Sequence, residues 1–148
     1  MNDLDYMRIA LEEAAAALAT GDVPIGAVAV YERQIIGRGR NRREADHDAT
    51  AHAELIALKQ ASQALGRWRL EGVTLYCTLE PCAMCAGAMV LARLTRLVYA
   101  AIDWKAGMAG SVDDLVRHPK LNHRVQVEGG LLADDAGDLL RAFFQDLR

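Results

Sequence analysis

The chain has 148 residues, 52% of them apolar and 25% charged, with a formal net charge of -3. That supports one domain with its own core rather than two, a soluble globular class, and no global attraction for polyanions. The acidic start Met1-Asn2-Asp3-Leu4-Asp5 is unlike a signal peptide and no stretch is long enough to span a membrane, so the cytosol is the expected compartment.

Taken in chain order, residues 4–19 predict a helix with Met7, Leu11, Ala14 and Leu18 on one face and Thr20-Gly21 as its stop. Ile25–Tyr31 and Gln34–Arg40 predict an antiparallel strand pair around the polar turn Glu32-Arg33. Residues 51–64 predict a helix that faces a core with Leu55, Leu58 and Ala61 or Ser62 and ends at Gly66. Val73–Leu79 is a strand, and Pro81 opens a small-residue helix running to about Arg93. A strand over 96–102, the loop 103–111, a short helix near 112–117, a strand over 123–127 and an amphipathic helix over 131–147 complete the pattern. Helices alternating with strands imply parallel pairing through crossovers, with the first two strands as an antiparallel exception. The expected fold is a three-layer α/β/α sandwich on a mixed five-stranded sheet, its fifth strand parallel to the fourth.

Three cysteines in a cytosolic chain are read as metal ligands or core residues before disulfides. Alternation in Val73-Thr74-Leu75-Tyr76-Cys77-Thr78-Leu79 puts Cys77 on the apolar face with Val73, Leu75 and Leu79, so Cys77 is expected in the core. Cys82 and Cys85 stand three apart at a helix start, where unpaired backbone N–H groups and the dipole favour thiolates. His52-Ala53-Glu54 supplies an imidazole and a carboxylate at another helix start, where side chains two apart can converge on a point beyond the helix end. Three ligands, His52, Cys82 and Cys85, leave a fourth position on one zinc ion for water, and Glu54 is left over as acid/base. That constellation is the described signature of zinc nucleobase deaminases, so hydrolytic deamination is the expected chemistry. A structural zinc site would have no use for Glu54. His47, His118 and His123 are expected to be solvent-side residues.

The sequence resembles the bacterial tRNA adenosine deaminases, in the cytidine deaminase-like superfamily, over nearly its whole length. The likeness includes Pro24-Ile25-Gly26-Ala27-Val28, Thr50-Ala51-His52-Ala53-Glu54, the run Thr78 to Ala88, Asn122-His123-Arg124-Val125 and Phe143-Phe144. The zinc motif alone specifies only the superfamily, whereas the run Thr78 to Ala88 and the Asn122 segment resemble the tRNA enzymes more narrowly. The resemblance implies a cytoplasmic homodimer that converts the wobble adenosine of a tRNA anticodon stem-loop to inosine. It implies that Asn41 contacts the base, that Asp103 and Lys105 lie near flanking anticodon bases, and that Phe144, with Phe143, offers a stacking platform for RNA; helical spacing puts at least one of the two in the core. Two departures stand out. Asp48-Ala49-Thr50 replaces the usual Asp-Pro-Thr, and the chain closes on Gln145-Asp146-Leu147-Arg148 where many relatives carry a basic stretch. Arg148 is left to do part of that work, beside a basic patch formed by Arg38, Arg40, Arg42 and Arg43. That reading predicts activity falling steeply with salt. Two alternatives stay open: a free-base or nucleoside deaminase on the same fold, and a non-catalytic zinc-stabilised RNA-binding module.

Overall fold

A computed structural model describes residues 1–147, so the part expected of Arg148 lies outside it. Helix α1 (Asp3–Ala16) starts at a reciprocal cap, in which Asn2 and Asp5 each accept from the other's backbone N–H. It buries Tyr6, Met7, Ala10 and Ala14. Leu18, expected on the same face, is 43% exposed, because the chain tightens into a 3-10 turn at Ala17–Thr20 and rotates it outward. Strands β1 (Gly26–Tyr31) and β2 (Gln34–Arg40) form the expected hairpin. Glu32 and Arg33 both take positive φ, the two-residue turn whose twist matches that of the strands.

There follow α2 (Arg43–Asp46), α3 (Ala53–Leu65), β3 (Val73–Leu79), α4 (Ala83–Leu91), β4 (Arg96–Ala101), β5 (Gln126–Gly129) and α5 (Ala133–Asp146). The sheet order is β2-β1-β3-β4-β5, with β1 antiparallel to β2 and β3, and with β3, β4 and β5 mutually parallel. One face packs Ala27, Leu75, Cys77 and Leu97 against Ala53, Ala57 and Ala61 of α3 and Cys85 and Met89 of α4. The other packs Val28, Tyr76 and Val98 against Tyr6, Met7 and Ala10 of α1 and Ala136 of α5. This is the expected three-layer mixed sandwich, and Cys77 sits fully buried within it. At the start of β4 Arg96 forms a bidentate pair with Asp3 at 3.0 and 2.7 Å, and Tyr76 of β3 donates to the same carboxylate, tying the start of α1 to the sheet.

Glycine sets how close α3 comes to the sheet. A Cβ on Gly37 or Gly39 of β2 would overlap the carbonyl oxygens of Ala57 and Ala53, so helix backbone lies directly on strand backbone there. Small residues at Ala53, Ala57 and Ala61 complete the close fit, and it fixes the first turn of α3.

Several boundaries differ from expectation. The first turns of α3 and α4 begin later than predicted: His52 and Cys82 are the residues preceding the helices, in extended conformation, and Pro81 lies outside. Residues 112–117 form turns joined by an Ala109–Asp114 bridge instead of a short helix. Val112 and Leu115 donate to the carbonyls of Gly107 and Met108, and the Val116 carbonyl accepts from Val125, so groups of this segment serve partners that a helix over 112–117 would not offer. The last strand is Gln126–Gly129, displaced from 123–127, because His123 is held to the Leu94 carbonyl at 2.6 Å ahead of the sheet. His123 is therefore a tethered, half-buried residue and not a solvent-side one. Helix α2 was not expected; its cap comes from elsewhere in the chain.

Candidate active site

The site forms where α3 and α4 begin, at the ends of connections leaving β2 and β3. His52 and Cys82 occupy the positions just before each helix, and neither helix has a side-chain cap bonded to its first N–H groups. Those free donors and the two dipole ends make the space between them electropositive. Cys85 lies one turn into α4, and Glu54 in the first turn of α3. From these positions His52 Nδ1 stands 3.6 Å from Cys82 Sγ and 3.5 Å from Cys85 Sγ. All three ligand atoms lie within 4.8 Å of one another.

This trio has the dimensions of a zinc site. With Zn–N about 2.0 Å and Zn–S about 2.3 Å at tetrahedral angles, nitrogen and sulfur stand about 3.6 Å apart. The protonation pattern also asks for a cation. The hydrogen bonds from Cys85 and then His52 hold the Cys82 thiol down at about 3. The same bond, together with burial, pushes Cys85 far up, so the protein alone stabilises only one thiolate. A divalent cation would stabilise both.

Glu54 is 4% exposed, and burial pushes its carboxyl above the ordinary carboxylate range. It forms the floor of a pocket of about 190 Å³ whose walls are Val23, Ile25, Asn41, Arg43, His52 and Ala53. Asn41 is also buried; its amide donates to the Val23 carbonyl at 3.2 Å and its oxygen accepts from the Arg43 N–H at 3.2 Å. One amide hydrogen and one lone pair remain for another partner. A second hollow shares Val23, Asn41 and Arg43 with the first and reaches Phe143, Phe144 and Leu147. A third of about 430 Å³ runs from Val23 and Phe144 to Ile102, Asp103, Trp104 and Lys105. Shared walls make one groove from Glu54 to the C-terminal helix. Asn41, Phe144, Asp103 and Lys105 thus lie along it in that order, though only Asn41 borders the pocket that holds Glu54. Phe144 is half exposed and Phe143 partly buried, their rings edge to face at 5.3 Å; neither is core.

Other residues of the groove carry weaker sequence signals. Trp104, 75% exposed between Asp103 and Lys105, is the largest apolar surface on its loop. Asp22 is almost fully buried and accepts from the N–H groups of Glu44 and Ala45 at 2.6 and 3.3 Å, so it caps α2 from the opposite wall. Burial would raise its carboxyl, but the bonds from Thr20, Glu44 and Ala45 outweigh that and lower it. The basic patch is largely cancelled in three dimensions. Arg38 and Arg40 both pair with Glu13, at 2.9 and 3.2 Å, and Arg42 pairs with Asp46 at 2.9 Å. Among the described residues Arg43 makes no ion pair, and it faces the groove.

A family model for MafB19-like deaminases matches residues 1–148. A tRNA-specific adenosine deaminase of Bacillus subtilis is 48% identical over 143 residues, 97% of this chain and 89% of its own length. One from Aquifex aeolicus is 44% identical over 97% of this chain and 94% of its own length. Among solved structures, one from work on A-to-I editing by tRNA deaminases at the wobble position of transfer RNA is 42% identical with a TM-score of 0.88, covering 92% of this chain and 99% of its own. A guanine deaminase of Nitrosomonas europaea is more distant, 28% identical with a TM-score of 0.81, over 96% of this chain and 84% of its own. With this fold, a trio of zinc-ligand geometry and these likenesses, the chain belongs to the MafB19-like deaminases and, within them, to the tRNA-specific adenosine deaminases.

Proposed function

We propose that this single deaminase domain hydrolyses the wobble adenosine of a tRNA anticodon stem-loop to inosine, releasing ammonia, in the cytosol and as a homodimer. One observation carries the reading: a buried carboxyl group, Glu54, shares one pocket with His52, beside Cys82 and Cys85, and with a buried amide, Asn41, that keeps bonding capacity to spare. His52 Nδ1, Cys82 Sγ and Cys85 Sγ would hold one zinc ion per chain, which when bound supplies Lewis acidity and acidifies a water toward neutral pH. Glu54 takes a proton from the attacking water and delivers it to a ring nitrogen of the base as C6 is attacked. It then takes the remaining hydroxyl proton of the tetrahedral adduct and passes it to the amino group, which leaves as ammonia while the C6 oxygen becomes a carbonyl. Its raised affinity for protons suits both deliveries. Asn41 would hold the flipped base by its edge, and Asp103, Lys105 and Phe144 would take the neighbouring nucleotides along the groove. The homodimer rests on the family likeness, and sedimentation velocity tests it.

The deciding experiment is Glu54→Ala on a zinc-loaded protein with an anticodon stem-loop, read by mass. Zinc content and RNA binding should persist while inosine formation falls by roughly 100-fold or more. Unchanged inosine yield would refute the role of Glu54. A second reading, deamination of a free purine, is favoured by the paired arginines and by the likeness to a guanine deaminase. Turnover of free guanine or adenine without RNA would establish it.

A further inference from the structure

We infer that Glu80 is a positioning residue: its buried carboxylate fixes the loop bearing Asp103, Trp104 and Lys105 relative to the thiolate helix, and so sets substrate affinity. Glu80 is 2% exposed and faces no cation within hydrogen-bonding distance among the described residues. Its oxygens are instead saturated by one loop. Oε1 accepts from the Asp103 N–H at 3.1 Å and from the Ser111 hydroxyl. Oε2 accepts from the N–H groups of Ala109 at 3.0 Å and Ser111 at 3.1 Å. A carboxylate with four acceptor sites meets four donors, and neither oxygen is spare. Gly107 is part of the same fit, since a Cβ there would overlap both the Glu80 carboxyl and the Asp103 carbonyl. On the chain Glu80 directly precedes Pro81-Cys82, and its own N–H donates to Ala101 at 2.9 Å. One side chain therefore joins the end of β3, the thiolates and both ends of the loop.

Past its tip the loop is also held by Met108, whose N–H donates to the Pro81 carbonyl at 2.9 Å, and by Arg117, which donates to the Ala109 carbonyl at 3.0 Å, but neither bond reaches residues 103–106. Asp103 turns its carboxylate back onto the N–H groups of Lys105 and Ala106, which shapes the tip but ties it to nothing outside. Without Glu80 the tip would keep its local turn and lose its address relative to the pocket. The inference rests on the proposed groove-side role of Asp103 and Lys105.

Glu80→Gln makes the test, because it preserves size and removes one acceptor. Whichever way the amide turns, at least one backbone N–H of the loop is left facing a donor. Amide hydrogen exchange on the full zinc-loaded chain should quicken by roughly ten-fold or more at Asp103, Ala109 and Ser111 and not in α3 or α4. KM for the anticodon stem-loop should rise several-fold, with kcat and zinc content close to those of the unsubstituted protein. Ser111→Ala, which deletes one bond of the four, should shift exchange and KM in the same direction by less, and it carries the test if Glu80→Gln fails to fold. Unchanged exchange in a folded variant overturns the anchoring. Faster exchange with an unchanged KM overturns the effect on substrate, and so does a fall in kcat alone. If the unsubstituted protein forms no inosine, the proposed function fails, while exchange still tests the anchoring.

Discussion

Gly39→Ala should disturb the His52, Cys82 and Cys85 trio without touching it. The added Cβ would overlap the Ala53 carbonyl oxygen and lie 3.1 Å from both the Ala53 carbonyl carbon and the Ala57 nitrogen. Carbon contacts are comfortable near 3.5 to 4 Å, so α3 has to retreat from β2 by about 1 Å. Both obstacles are backbone, and no rotamer change relieves them. Overpacking of this kind costs about 1–3 kcal/mol, or roughly 3–10 °C in Tm for a chain of this size. The retreat also moves His52, immediately before Ala53, away from sulfurs that now stand 3.5 and 3.6 Å from its Nδ1. Zinc ligand distances tolerate only about 0.2 Å, so metal affinity should fall as well. Calorimetry and zinc titration of the variant provide the assay, with Gly66→Ala as the control. Gly66 has φ +66° but open space around it, so its cost is the backbone alone, about 1 kcal/mol, with zinc affinity unchanged. If Gly39→Ala kept its Tm within a degree and bound zinc as before, the claim that backbone contact positions His52 would be wrong.

Asp22→Ala removes the cap of α2 and orphans two backbone N–H groups, and should cost about 2 kcal/mol in urea unfolding while raising KM through the Asn41 wall. Asp3 is held down to about 2 from 3.8 by the hydrogen bonds from Arg96 and Tyr76, so the stability it adds is complete above pH 4 and is lost as pH falls towards 2. Asp3 is 40% exposed, and solvent screening reduces its worth to about 1 kcal/mol, so Asp3→Asn should lower unfolding free energy by that much at pH 6 and by almost nothing at pH 2. Among the arginines, Arg43→Ala should reduce the salt dependence of stem-loop binding by about 0.7 in log–log slope, whereas Arg38→Ala, already paired with Glu13, should leave it nearly unchanged.

Local patterns carried the layers and the chemistry, and contacts between distant segments carried what was missed. Strand alternation placed Cys77 in the core, and the Glu32-Arg33 turn was legible from its flanking strands. The grouping of His52, Cys82 and Cys85, with Glu54 beside them, was legible because metal-ligating residue types at two helix starts can converge on one point. Helix α2 was not, since its capping residue is Asp22, twenty-one residues before its first residue. The turns at 112–117 were read as helix because nothing nearby announces that Val125 donates to the Val116 carbonyl, or that Glu80 holds the loop just before them at Ala109 and Ser111. The basic run misled for the same reason: Glu13 lies on another helix, so an uninterrupted row of arginines in sequence becomes a set of ion pairs in space.

That cancellation changes how an RNA would be held. With Arg38, Arg40 and Arg42 in ion pairs, the cations facing the groove among the described residues are Arg43 and Lys105, in a chain of net charge -3. Each phosphate contact on single-stranded nucleic acid contributes a slope of about 0.7, so two contacts weaken binding by only about seven-fold between 50 and 200 mM salt. The steep salt dependence implied by four free arginines is therefore not what this surface supports. The remaining affinity has to come from surfaces that salt does not screen. Trp104, Phe144 and the Asn41 edge would supply them under the proposed function, since a stacked base is worth about 1–3 kcal/mol whatever the ionic strength. Unpaired, unstacked bases offer those faces and a duplex does not. A groove of this kind selects a loop over a helix by exposed bases more than by charge, which agrees with an anticodon loop as substrate.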